Sequence, residues 1–176
     1  KEIFYNEKHR LKALSFFNLF DKKNFFIGLN LEGSSKERKI FKNDAINLIS
    51  GLAKIQENII IILIHKPENV KNINELITNE ASLYTFPSYP TNSVLDLAAI
   101  IDGLDLIISP DTSIVHMACA FKKPLIAIYE KKMNNYEKWH PISDCNHVIF
   151  FDSLKYIDVN KVIDEAYELI SNNNRN

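Results

Sequence analysis

The chain has 176 residues, 46% hydrophobic and 24% charged, and its 21 Lys+Arg nearly balance 22 Asp+Glu for a net charge of -1. That length suits one α/β domain or a large half of a two-domain protein. The balanced charge excludes a global electrostatic pull toward nucleic acid, so no nucleic-acid partner is expected.

No apolar run approaches the ~20 residues of a membrane span; the longest, Ile59–Ile64, is strand-sized. The polar start KEIFYNEKHR is not a signal peptide. A first residue Lys1 in place of Met leads to the expectation that something upstream was removed. Cys119 and Cys145 point to a reducing, cytoplasmic compartment without a disulfide framework. Neither has a further Cys or a His pair at metal-ligand spacing, so no metal is expected.

Residues 1–24 carry EKHRLKALSFFNLF, a basic amphipathic helix read as a linker or packing helix, the other reading being contact with the inner membrane surface. FFIGLN (Phe25–Asn30) is the first strand and EGSSKERK the polar loop after it. NDAINLISGLAKI has helical periodicity, with Asn43 or Asp44 as its cap. IIIILIH (Ile59–His65) reads as a strand buried on both faces of a parallel sheet. PENVKNINELI is a short helix, SLYTF a weak strand, and TNSVLDLAAIIDGL a capped helix. LDLIIS, PLIAIY and HVIFF are three more strands, DVNKVIDEAYELI is the final helix, and residues 171–176 form a polar tail expected to be disordered. Strands alternate with helices over residues 25–170. This is the pattern of βαβ units, hence an α/β, Rossmann-like, doubly wound parallel sheet. With 4 Gly in the chain there is no Gly-x-Gly-x-x-Gly and no Walker loop.

The chemistry gathers in SPDTSIVHMACAFKKPLIAIY, where a strand gives way to a helix. Open α/β sheets bind ligands at the carboxyl ends of their strands. The first turn of a helix leaves backbone N–H groups unpaired, and these attract phosphate. Thr112 and Ser113 add hydroxyls there, and His116 follows at offsets that share a helical face with them. The alternative is plain: Asp111 or Thr112 caps the helix, which uses the same N–H groups, and His116 is an ordinary half-buried histidine.

The residues Asp111, Thr112, His116, Ala118, Lys123 and Pro124 resemble the signature of the family-9 glycosyltransferases, the heptosyltransferases of lipopolysaccharide core synthesis. That signature is roughly Asp-Thr-Gly, His, Ala and then Gly-Lys-Pro before an apolar strand. FIGLNLEGSSKERK and SVLDLAAIIDGLDLIIS are similar to the segments that precede it, so the likeness covers most of residues 25–130. It implies the C-terminal half of a GT-B glycosyltransferase, the half that binds the nucleotide-sugar donor, usually ADP-heptose. The catalytic base and the lipid-linked saccharide acceptor would belong to an N-terminal domain, so no catalytic residue is expected in this half. By the same resemblance Asp111 contacts the donor sugar. Thr112, Ser113 and His116, with Ser34, Ser35, Lys36, Arg38 and Lys39 of the first loop, bind the diphosphate. Glu68 meets the ribose. Two other readings stay open beside these roles: Lys36–Lys39 as a solvated charge run, and Glu68 as an exposed helix-start carboxylate.

Two departures bear on the donor. Ser113 replaces a Gly, and Asn30-Leu31-Glu32 replaces Asn-Pro-Gly, which sets a carboxylate beside the expected diphosphate. Two alternatives accompany the transferase reading. One is a noncatalytic nucleotide-sugar-binding or scaffold module with the same half fold; the other is a sugar-nucleotide epimerase.

Overall fold

Side chains of the central strands alternate between two cores, and this alternation lays out the molecule. Ile59, Ile61 and Leu63 enter one core, while Ile60, Ile62 and Ile64 enter the other, as the two-residue period of a strand requires. The computed structural model describes residues 3–33, 39–77, 81–131, 136, 140–141 and 146–173. Ser34, Ser35, Lys36 and Arg38, expected at the diphosphate, lie outside the described residues, as do Cys145 and residues 174–176.

The strands are β1 (Phe25–Asn30), β2 (Ile59–Ile64), β3 (Thr85–Pro87), β4 (Leu106–Pro110), β5 (Leu125–Glu130) and β6 (Asn146–Phe151). They form a 6-stranded sheet in the order β3-β2-β1-β4-β5-β6, and every pairing is parallel. Ile27 of β1 stands opposite Ile61 on one side and Leu106 on the other. The chain winds outward from β1 to β3, then crosses back to lay β4 against the free side of β1. That reversal is the switch point of a doubly wound sheet.

The helices are α1 (Glu7–Phe17), α2 (Lys42–Leu52), α3 (Val70–Asn74), α4 (Val94–Asp102), α5 (Ser113–Ala120) and α6 (Val159–Asn173); a 3-10 turn, Pro67–Asn69, leads into α3. Leu48, Ile49 and Leu52 of α2 meet Val162, Ala166 and Ile170 of α6 in the core on one face. Ile100 and Ile101 of α4 and Ile114, Val115 and Met117 of α5 fill the other. The α1 segment closes that second layer through aromatic edges: Phe16 meets Tyr89 at 5.5 Å, Phe17 meets Phe26 at 5.0 Å, and Phe20 meets Phe86 at 4.9 Å.

Two helix ends differ from expectation. α2 begins at Lys42 after Phe41, which makes no side-chain cap bond. Asn43 and Asp44 therefore sit inside the first turn, where the Asp44 carboxylate still favours the positive helix end. α6 continues to Asn173, so residues 171–173 of the expected tail are helical, carried on from the buried anchor Ile170.

Candidate functional site

Where a doubly wound sheet reverses, the strand ends diverge and leave a crevice. Here β1 ends in Asn30, β2 is followed by His65-Lys66, and β4 ends in Pro110 before Asp111-Thr112. A crevice of ≈ 300 Å³ opens at this end of the sheet, lined by Asn30, His65, Lys66, Thr112, Ser113 and their neighbours.

Asn30 builds its floor. The residue is 4% exposed. Its Nδ2 donates to Glu32 O at 2.8 Å and to Ser109 Oγ at 2.9 Å, with a longer contact to Thr112 Oγ1 at 3.4 Å. Its Oδ1 accepts from the Glu32 N–H at 3.2 Å. One carboxamide thus ties the end of β1 to the end of β4 and to the loop that follows β1. Thr112 is the N-cap of α5, in extended backbone with φ -150 and ψ 175. Its hydroxyl accepts from the Ile114 N–H at 3.3 Å and stands 3.2 Å from Ser109 Oγ, which donates to Pro110 O at 2.8 Å. With Ser109 donating elsewhere, the Thr112 hydroxyl proton is the one shared between those two oxygens. The Thr112 side chain is therefore part of the frame. A ligand anion at this tip would meet the α5 backbone N–H groups and the exposed Ser113.

The structure brings Thr112 and Ser113 to the crevice but leaves His116 and Asp111 out of its lining. Thr112 lies off the helical spiral, so the offset of four from it to His116 defines no shared face; His116, half-buried, shares a face with Ser113 at an offset of three yet stands outside the lining. The Asp111 backbone continues the β4–β5 ladder, its N–H donating to Ile128 O at 3.1 Å. Burial, followed by the Asp111 charge, pushes the Tyr129 phenol on β5 up from its ordinary range. Lys39 is exposed, with Nζ 5.2 Å above the Phe41 ring, and it pairs with Glu32 across an antiparallel bridge at the base of the first loop. Glu68 is exposed in the 3-10 turn, away from the crevice lining.

Sequence reasoning missed two lining residues, His65 and Lys66, whereas the Glu32 carboxylate is where the sequence sets it. His65 is 4% exposed, with Nδ1 2.8 Å from Lys66 O and Nε2 3.2 Å from Ser88 O. Lys66 is exposed and supplies a cation at the lining. Glu32 lines the crevice, and its Oε1 accepts from Asn69 Nδ2 in the 3-10 turn. The signal for His65 and Lys66 was present: they follow the carboxyl end of β2, the kind of position that singled out Ser109–Ser113 on β4. Among the described residues, no three of His, Cys, Asp and Glu gather to hold a metal ion. No described helix is long and apolar enough to cross a membrane.

Comparison with known proteins meets this geometry. No curated protein sequence matches the chain. Among solved structures, the ADP-heptose LPS heptosyltransferase II of E. coli superposes with a TM-score of 0.78 at 18% identity, over 98% of this chain and 54% of that one. A glycosyl transferase family 9 protein from Veillonella parvula gives 0.82 at 16% identity, over 97% and 54%. E. coli heptosyltransferase WaaC, solved with ADP, gives 0.72 at 17% identity, over 89% and 48%. At these identities the likeness carries the fold, the Rossmann-like half of a GT-B glycosyltransferase, and the chain spans about half the length of each structure. The profile of Glycosyltransferase family 9 (heptosyltransferase) matches residues 2–165. With a profile match over almost its whole length and the sheet order to go with it, the chain belongs to glycosyltransferase family 9.

Proposed function

We propose that this chain is the donor-binding half of an inverting heptosyltransferase of lipopolysaccharide core synthesis. It would hold a nucleoside diphosphate sugar, ADP-heptose or a close relative, for transfer to a lipid-linked saccharide. The observation that carries this reading is the crevice itself. In a family-9 chain, the N-terminus of α5 and Lys66 border one opening at the carboxyl ends of β1, β2 and β4.

In the reaction an acceptor oxygen forms a bond to the anomeric carbon from the face opposite the leaving group. The bond from that carbon to the phosphate oxygen breaks, and the nucleoside diphosphate departs with the electron pair. A base on the facing N-terminal domain takes the acceptor proton. The role of this half is to bind the donor and to steady the growing charge of the leaving diphosphate. The α5 N–H groups, Ser113 and the basic side chains around the first loop serve that end without a resident metal. Asp111 would join the site from beyond the crevice lining at the donor sugar, and His116 at the diphosphate. The protein would work in the cytoplasm at the inner membrane, where such an acceptor is presented.

Thermal unfolding of the chain with and without ADP or an ADP-sugar tests the proposal. At a ligand concentration a hundred times the dissociation constant, linkage stabilises the folded state by about 2.7 kcal/mol, which raises Tm by about 5–10 °C for a chain of this size. The absence of a shift with every nucleotide in a broad panel would overturn it. A noncatalytic nucleotide-sugar-binding module is the second reading, favoured by one observation: a carboxylate, Glu32, in the crevice lining. That module would bind nucleotide equally well, and the intact protein would transfer no sugar.

A further inference from the structure

The carboxylate at the crevice has a consequence for what the crevice accepts. Glu32 follows β1 by two residues and is anchored twice. Its backbone N–H and C=O both bond to the buried Asn30 carboxamide. Its side chain reaches the turn after the neighbouring strand β2, where Oε1 accepts from Asn69 Nδ2. The backbone is therefore fixed by Asn30 and the carboxylate by Asn69. Because Asn30 also touches Thr112 Oγ1 at 3.4 Å, Glu32 and the α5 tip border the same small space. An ionised carboxylate accepts hydrogen bonds and donates none. It attracts hydroxyl groups and repels phosphate oxygens, and a partly desolvated crevice strengthens both effects.

We propose that Glu32, fixed by Asn69, is a specificity-determining residue: it receives a hydroxyl-bearing part of the ligand and confines the ligand's phosphates to the α5 side of the crevice. This inference rests on the nucleotide reading above and adds to it a polarity across the site. Glu68, expected at the ribose, is exposed outside the lining, and among the described lining residues the carboxylate is that of Glu32.

The test is a ligand-observed NMR titration of the full chain with ADP, which carries phosphate charge, and with adenosine, which carries hydroxyls alone. Wild type, Glu32→Gln and Asn69→Ala are compared, each checked for an intact fold by circular dichroism. Removing one unit charge at this range should tighten ADP by about tenfold in Glu32→Gln. Adenosine should weaken severalfold, because an amide oxygen accepts less strongly than a carboxylate. Asn69→Ala keeps the charge but releases the side chain, and should move the ADP-to-adenosine ratio the same way by a smaller factor. ADP binding to Glu32→Gln but not to wild type would also support the inference. A ratio unmoved in Glu32→Gln, or one that moves toward adenosine, overturns it while leaving the nucleotide reading in place. Failure of wild type and both variants to bind either probe overturns both.

Discussion

At the end of the sheet opposite the crevice, Asp105 brackets Phe26. Its Oδ2 accepts from the Phe26 N–H at 2.8 Å, and its own N–H donates to Phe26 O at 2.9 Å. Burial raises its carboxyl above the ordinary range; the Phe26 hydrogen bond and the Lys123 charge pull the other way and do not cancel the rise. A raised folded pKa means that this group's favourable contribution is complete below the unfolded pKa and is lost as pH climbs through the folded one. At neutral pH the charge itself is thus a net cost, and the acceptor atom is what the fold uses. Asp105→Asn keeps an acceptor for Phe26 and should stay within about 1 kcal/mol of wild type, whereas Asp105→Ala orphans that N–H and should lose about 1–3 kcal/mol. Urea unfolding at pH 7 checks both, and an Asn variant as damaged as the Ala variant would show that the charge is needed. Legibility at this scale was uneven for physical reasons. Ser113 and the capping role of Thr112 follow from chain-local chemistry at one strand-to-helix junction. The Asn30 clamp joins residues 79 positions apart, and no local pattern announces such a pairing.

At the level of elements, α5 ends in a Schellman turn. The Lys122 N–H donates to Cys119 O and the Lys123 N–H to Ala118 O, both at 3.0 Å, which satisfies carbonyls the helix leaves open. This turn needs a left-handed residue just after the cap, and Lys122 holds it at φ 54, the one non-glycine residue with positive φ among those described. A side chain there costs energy that glycine would not. The resemblance quoted above has Gly at this point of its Gly-Lys-Pro. Lys122→Gly should therefore stabilise the chain by about 0.5–1 kcal/mol, the relief of strain being partly offset by the freer unfolded chain. The sign to look for is a higher urea midpoint with an unchanged slope; a lower midpoint would mean that the lysine side chain earns more than the strain. The elements themselves were readable because Ile59–Ile64 and Leu125–Tyr129 are apolar almost throughout, as strands buried on both faces must be. Their ends were less so. The start of α2 at Lys42 depends on a backbone turn at Phe41 that carries no capping side chain, and the extension of α6 past Ile170 depends on packing rather than on the propensity of Ser171 and Asn172.

For the molecule as a whole, alkali should act first where the N-terminal segment is tied down. Tyr5 Oη donates to Asp102 Oδ2 at 2.5 Å, linking the segment before α1 to the end of α4. Burial, then the Asp102 hydrogen bond, pushes this phenol from 10.0 up to about 12. A raised folded pKa makes the stabilisation complete below pH 10 and gone as pH rises between 10 and about 12. Burial lifts Tyr89 and Tyr129 as well, so they sustain the later part of the alkaline fall. Tyr5→Phe removes the Asp102 hydrogen bond and should lower Tm modestly at pH 7 while flattening its further loss across that first interval; an identical alkaline profile would contradict the role. The sheet order has a further consequence, for biosynthesis. Residues 25–87 hold β1, β2 and β3, but the second neighbour of β1 is β4, which begins at Leu106. Until that stretch emerges, the Ile27–Leu29 edge of the central strand stands bare, and an unpaired strand edge invites other chains. The pace of translation from the end of β3 to the end of β4, and the holdase chaperones present during it, should therefore bear on the yield of soluble protein.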